Sequence, residues 1–123
     1  MGSFGAINLA LHNLAEYGSV TLWSPYFIGN TPRVEGRTGS RGWFDNSPLK
    51  YLPLIVQSLR RYRLHMSFYS SPGVPGFRSS VEFAAVLKRH DIPYRFTRGL
   101  HSWRTWRDKF PSEMIWLSRY FHC

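Results

Sequence analysis

The sequence predicts an α/β protein: three short strands alternating with four helices, forming three parallel strands with flanking helices. Three observations carry this. Apolar residues recur at helical spacing in four segments. Between them lie three short runs rich in β-branched and aromatic residues, bounded by Gly, Pro, Asn or Ser. The order is a strict alternation, which favours parallel pairing through helical crossovers, with helices on both faces of the sheet.

In chain order, residues 6–16 place Ala6, Ile7, Ala10, Leu11 and Leu14 on one helical face, and Gly18 is a stop just beyond. Residues 19–24 (SVTLWS) read as a buried strand. Residues 25–47, rich in Gly, Pro, Asn, Arg and Ser, read as a long loop of the kind that carries function or stays irregular. Ser47 and Pro48 are a cap and a first helical residue, and the helix they open runs to about Tyr62, bent or delayed by Pro53. Residues 64–70 (LHMSFYS) are the second strand. Residues 71–77 (SPGVPGF) are too rich in Pro and Gly to be regular. Ser79 or Ser80 caps a helix over 81–90, whose apolar face is Val81, Ala84, Ala85 and Leu87. Residues 92–97 (IPYRFT) are the third strand and 99–102 a short loop. Residues 103–121 are helical with a break at Pro111, and Trp103, Trp106, Phe110, Met114, Leu117 and Phe121 form a core-facing stripe. A sheet this small leaves an apolar edge, so self-association through it is expected.

Composition narrows the function. The chain's 123 residues suffice for one small domain, and 43% hydrophobic against 19% charged residues is a globular balance, not a disordered one. The net charge of +9 raises the question of a polyanionic partner. The basic residues are scattered, however, and the tightest group is Arg60, Arg61 and Arg63, which argues against nucleic acid as the main partner. Cys123 is the single cysteine, so no internal disulfide or cysteine-based metal site is expected. His12, His65, His90 and His122 lack ligand spacing, and neither a phosphate loop nor a dinucleotide fingerprint occurs, so no metal or cofactor is expected. No apolar run approaches the roughly 20 residues of a membrane span, and the first residues lack the features of a signal peptide.

In open α/β sheets, ligands and reactive groups gather at the carboxyl ends of the strands. The corresponding loops here are 25–47, 71–78 and 98–103, and the last carries His101. A loop histidine there is free to reach a neighbouring loop as a general base; the alternative is a surface histidine in a turn.

The words around His101 shift the balance between these by resemblance. Gly99-Leu100-His101-Ser102-Trp103, then Trp106-Arg107, Phe110-Pro111 and Trp116-Leu117-Ser118, resemble the end of the esterase family that includes enterochelin esterases, S-formylglutathione hydrolases and mycolyltransferases. Residues 2–11 (GSFGAINLAL) resemble the helix after that family's nucleophile, and 18–27 (GSVTLWSPYF) its next strand. Residues 81–96 resemble the helix and strand before its histidine, so the likeness covers nearly the whole chain. It implies the C-terminal half of an α/β-hydrolase, one partial domain over 1–123 that begins just after the nucleophile elbow. The complete parent would hydrolyse or transfer carboxylic esters of small molecules through a Ser–Asp/Glu–His triad, with His101 as general base.

By the same resemblance the nucleophile falls before Met1. Ser3 is the competing candidate, since Ser3-Phe4-Gly5 supplies Ser-x-Gly, and its other reading is a helix-start residue. The acid belongs in the loop after the second strand, where an ungapped match puts Val74. That loop has no carboxylate; Glu82 is the nearest and Asp45 lies in the long loop. The chain alone is therefore expected to be inactive. The alternative is a non-catalytic binding module, for carbohydrate or another surface ligand. Trp23, Pro25, Tyr26 and Phe27 would line an acyl pocket or cover the sheet end.

Overall fold

A computed structural model of the chain describes residues 2–28, 46–100 and 102–120. The elements are α1 (Gly2–His12), β1 (Ser19–Trp23), α2 (Pro48–Tyr51), a 3-10 segment over Leu52–Ile55, α3 (Val56–Tyr62), β2 (His65–Ser70), α4 (Phe77–Arg89), β3 (Tyr94–Arg98) and α5 (Trp103–Ser118). The strands form one parallel three-stranded sheet in the order β1-β2-β3, with Thr21 opposite Ser67 and Ser67 opposite Arg95. The α/β class, the parallel sheet and the flanking helices thus stand as the sequence implied.

Side chains alternate across a strand, and the two faces of this sheet differ in kind. Val20, Leu22, Met66 and Phe68 point to one face. There they join Ile7, Ala10 and Leu11 of α1, Leu52, Val56 and Leu59, and Phe83 and Leu87 of α4 in one continuous core. Phe83 stacks on Phe27 at 4.0 Å with the rings 6° from parallel, and Phe27 meets Phe68 edge-on at 5.1 Å. α1, α2, α3 and α4 therefore share a face. Trp23, Ser67, Tyr69 and Arg95 point the other way, onto α5.

Several boundaries differ from the sequence reading, each for a local reason. α1 starts at Gly2 and stops at His12, because Asn13 turns its side-chain amide onto the Leu9 carbonyl (2.9 Å) and competes with the helix. Leu14, beyond that stop, is still buried. Pro53 interrupts the second helical stretch as a 3-10 segment. Neither Ser79 nor Ser80 caps α4. The helix begins two residues before Ser79, and both hydroxyls donate back to the Gly76 carbonyl at 3.0 Å. Gly76 is the cap, and a Cβ there would collide with the Pro25 carbonyl.

α5 departs most from expectation. It runs unbroken through Pro111. The proline removes a hydrogen bond to the Arg107 carbonyl, but sheet contacts on either side of it hold the helix. Trp106 packs on Trp23 before it, with ring centroids 6.0 Å apart, and Glu113 bonds Ser67 after it. The aromatic stripe does not face the core: Trp103 is 82% exposed, and Phe110 and Met114 are exposed too. Trp106, Lys109, Glu113, Trp116 and Tyr120 touch the sheet instead. Phe121 lies outside the described residues.

Phe83→Ala should lower stability by about 3–5 kcal/mol, read as a reduced urea midpoint with an unchanged slope. Tyr51 gives a pH signature. It is buried, and its hydroxyl donates to Asn8 Oδ1 at 2.7 Å. Burial pushes its ionisation well above the ordinary value of 10.0. Above that pH the unfolded chain releases this proton while the folded chain keeps it, so this contribution is present below about pH 10 and lost as pH rises further. Tyr51→Phe should flatten the fall in unfolding free energy measured between about pH 9 and about pH 11.

Candidate functional site at the carboxyl ends of the strands

The three strands end side by side at Trp23, Ser70 and Arg98. Ser24 takes a left-handed conformation (φ 51°) and donates its N–H to the Tyr69 carbonyl at 2.8 Å, which turns the chain sharply off β1. The close approach of Gly76 to Pro25 folds the loop after β2 against that turn. Tyr69 organises the third loop: its hydroxyl donates to the Leu100 carbonyl at 2.6 Å, and a Cβ on Gly99 would strike it. On the other side of the loop, Ser102 caps α5 by accepting the Thr105 N–H at 3.2 Å. His101 lies between these two anchors and outside the described residues.

Ser3 is placed and engaged. Its hydroxyl donates to the Trp23 carbonyl at 2.8 Å and accepts the Trp23 N–H at 3.1 Å. It therefore stands where a neighbouring strand would bond β1, and its hydroxyl is spent on main chain. β1 and β3 are two strand spacings apart, roughly 10 Å, so Ser3 and the loop of His101 flank the sheet end from opposite sides. The carboxylates do not converge on it. Glu82 pairs with Arg78 at 3.3 Å on the solvent face of α4, and Val74 sits in a carboxylate-free turn. Asp45 lies outside the described residues. Glu113 is buried, but it is ten residues along α5 from Trp103, about 15 Å away at 1.5 Å per residue. There it accepts the Ser67 hydroxyl at 2.8 Å and pairs with Arg95 at 3.2 Å, a clasp between helix and sheet.

Two residues at this end escaped the sequence reading. The hydroxyls of Ser70 and Ser71, which close the central strand, are buried and have no hydrogen-bond partner among the described residues. Buried hydroxyls are normally satisfied, and these two lie where open α/β sheets gather ligands; the Thr21 hydroxyl, within β1, likewise has no partner among the described residues. The visible signal was the Ser-Ser pair at the end of the central strand.

Beside this end, α5 and β1 enclose a groove of about 820 Å3, walled by Trp23, Trp103, Trp106, Phe110 and Pro111, with Arg104 and Arg107 among its lining residues. Its first wall residue on α5 is two positions from His101. Trp23 is therefore a wall of an apolar groove, whereas Phe27 is a core residue and Pro25 is buried. Among the described residues no three His, Cys, Asp or Glu gather as metal ligands, and no helix is long and apolar enough to cross a membrane. No family model, curated protein sequence or solved structure matches the chain.

Ser3→Ala should lower stability by about 1–2 kcal/mol through loss of its two bonds to Trp23, measured by urea unfolding. Glu113→Ala leaves the buried Ser67 hydroxyl without its acceptor and should cost about 1–3 kcal/mol. Adding Ser67→Ala to that variant should recover part of the loss, which a double-mutant cycle would read as coupling.

Proposed function

We propose that the chain forms the C-terminal part of a serine-esterase-type α/β-hydrolase, with His101 as the general base of ester hydrolysis or acyl transfer. The observation that carries this is the position of α1. Crossovers between parallel strands are right-handed, so the order β1-β2-β3 puts its crossover helices on one face, where α2, α3 and α4 lie. α1 lies on that face too, which is the place of a crossover helix arriving from a strand beside the outer edge of β1. The Gly18 carbonyl and Ser24 N–H bond β2, so the alternate residues Ser19, Thr21 and Trp23 turn their main chain to that outer edge, where Ser3 already engages the N–H and carbonyl of Trp23. A strand there followed by α1 would be the strand–turn–helix that carries an elbow nucleophile.

In this reading His101 takes the proton of a serine hydroxyl as it attacks the ester carbonyl and returns it to the leaving alcohol. The substrate is a small-molecule ester. In this reading the nucleophile is not Ser3, whose hydroxyl is bonded to the Trp23 main chain, and neither Val74 nor Glu82 supplies the acid that orients the imidazole; Asp45 lies outside the described residues. Without that acid a triad loses about four orders of magnitude in rate, so residues 1–123 alone should be inactive.

The test is hydrolysis of p-nitrophenyl butyrate. The chain alone should match the buffer rate. Expressed with the coding sequence directly upstream of Met1, it should gain activity that His101→Ala removes. Turnover by the chain alone, abolished by both Ser3→Ala and His101→Ala, would place the whole site within these residues and sink the claim that a nucleophile is missing.

One observation favours a second reading, a non-catalytic binding module: the tryptophan-walled groove beside an engaged Ser3. Exposed aromatic faces suit sugar rings as well as acyl chains. Equilibrium titration against a glycan panel separates the two readings; saturable binding by an inactive chain would favour the module.

A further inference from the structure

The fold has a second concave place, at the opposite end of the sheet. Where α3 hands over to β2 and α4 to β3, a cavity of about 370 Å3 is lined by Leu59, Leu64 and Ile92 and by Arg60, Arg63 and Asp91. The three apolar residues are buried core, while the three charged residues are exposed. A cavity this size suits one ring-sized molecule, and apolar walls with a few polar groups are what small-ligand sites have in common.

The backbone sets this place apart. Arg63 (φ 53°, ψ 55°) and Asp91 (φ 57°) are two of the three non-glycine residues with positive φ among those described. Both follow the end of a helix, α3 and α4, where glycine or asparagine is the ordinary choice because a Cβ is strained in that conformation. Arg63 gains nothing visible in exchange: its side chain makes no hydrogen bond or ion pair among the described residues, and neither does that of Asp91. A left-handed residue is a common way to end a helix; what sets these two apart is that non-glycine residues hold it where they line a cavity. Arg60 is fixed at the same place by donating its Nη2 to the His90 carbonyl at 2.7 Å. That contact also offsets the negative end of α4, which would otherwise oppose an anion.

We propose that this cavity binds a small organic oxyanion, a phosphate or carboxylate joined to an apolar ring. Arg63 and Arg60 hold the oxyanion, and the ring lies over Leu59, Leu64 and Ile92. Asp91 sets a limit on the class: its carboxylate repels an extended polyanion but tolerates a ligand charged at one end only. The site is independent of the ester chemistry proposed at the other end of the sheet.

The experiment is isothermal titration of the full chain with phenyl phosphate and with benzoate, and with phenol as the neutral ring. The two anions should bind saturably, with phenol at least about tenfold weaker, since a charge-assisted contact contributes that factor or more. The tighter anion tells a phosphate from a carboxylate ligand. Arg63→Gly relieves the strain and removes the cation, so it should raise the melting temperature while weakening anion binding about tenfold or more. Arg104→Ala with Arg107→Ala, in the other groove, should leave anion binding unchanged. Phenol binding as tightly as the anions, or binding that survives Arg63→Gly, or binding lost only in the Arg104 and Arg107 variant, would each overturn the proposal.

Discussion

Everything in this fold hangs on β2, the central strand. Five of its six residues are buried, and both of its edges are bonded, to β1 and to β3. Its alternation divides the molecule. Met66 and Phe68 bind four helical segments into an apolar core, and Ser67 and Tyr69 receive α5 through a hydroxyl and a ring. One strand thus fixes two unlike interfaces, because successive side chains must point to opposite faces.

The α5 interface is polar at its centre, and this explains the rest of that helix. Glu113, held between Ser67 and Arg95, fixes which face of α5 turns inward. A buried carboxylate is tolerated only when its oxygens are satisfied, and here both are engaged. With the helix pinned at that point, Trp103 and Phe110 are left on the outer side, where with Trp23 and Trp106 they wall a groove. The same pinning carries the helix across Pro111. What appears in sequence as a core stripe becomes, in the folded chain, the wall of a candidate site.

The two ends of the sheet have separate chemistry. At the carboxyl ends, glycine contacts at Gly76 and Gly99 let the loops close in on Pro25 and Tyr69, and the hydroxyls of Ser70 and Ser71 there are buried with no partner among the described residues. At the amino ends, cations collect where helices α3 and α4 finish. Their carbonyls attract positive charge, and the fold brings Asp91, from a distant part of the sequence, beside Arg60 and Arg63.

The sequence alone determined the alternation of elements, the parallel sheet and the position of the loop that carries His101. These rest on local signals: helical spacing in Ala6–Ile7–Ala10–Leu11, short β-branched or aromatic runs, and Gly–Pro punctuation. It also determined that the loop after β2 holds no carboxylate. Only the tertiary structure decided which face of α5 is buried, what Ser3 bonds and which charges share a cavity. The physical reason is range. Propensity and periodicity act over one or two turns, whereas the partners of Ser3 and Glu113 lie 20 and 46 residues away. Whether a hydroxyl is spent on main chain, or a tryptophan is turned to solvent, depends on neighbours that only the folded chain brings together.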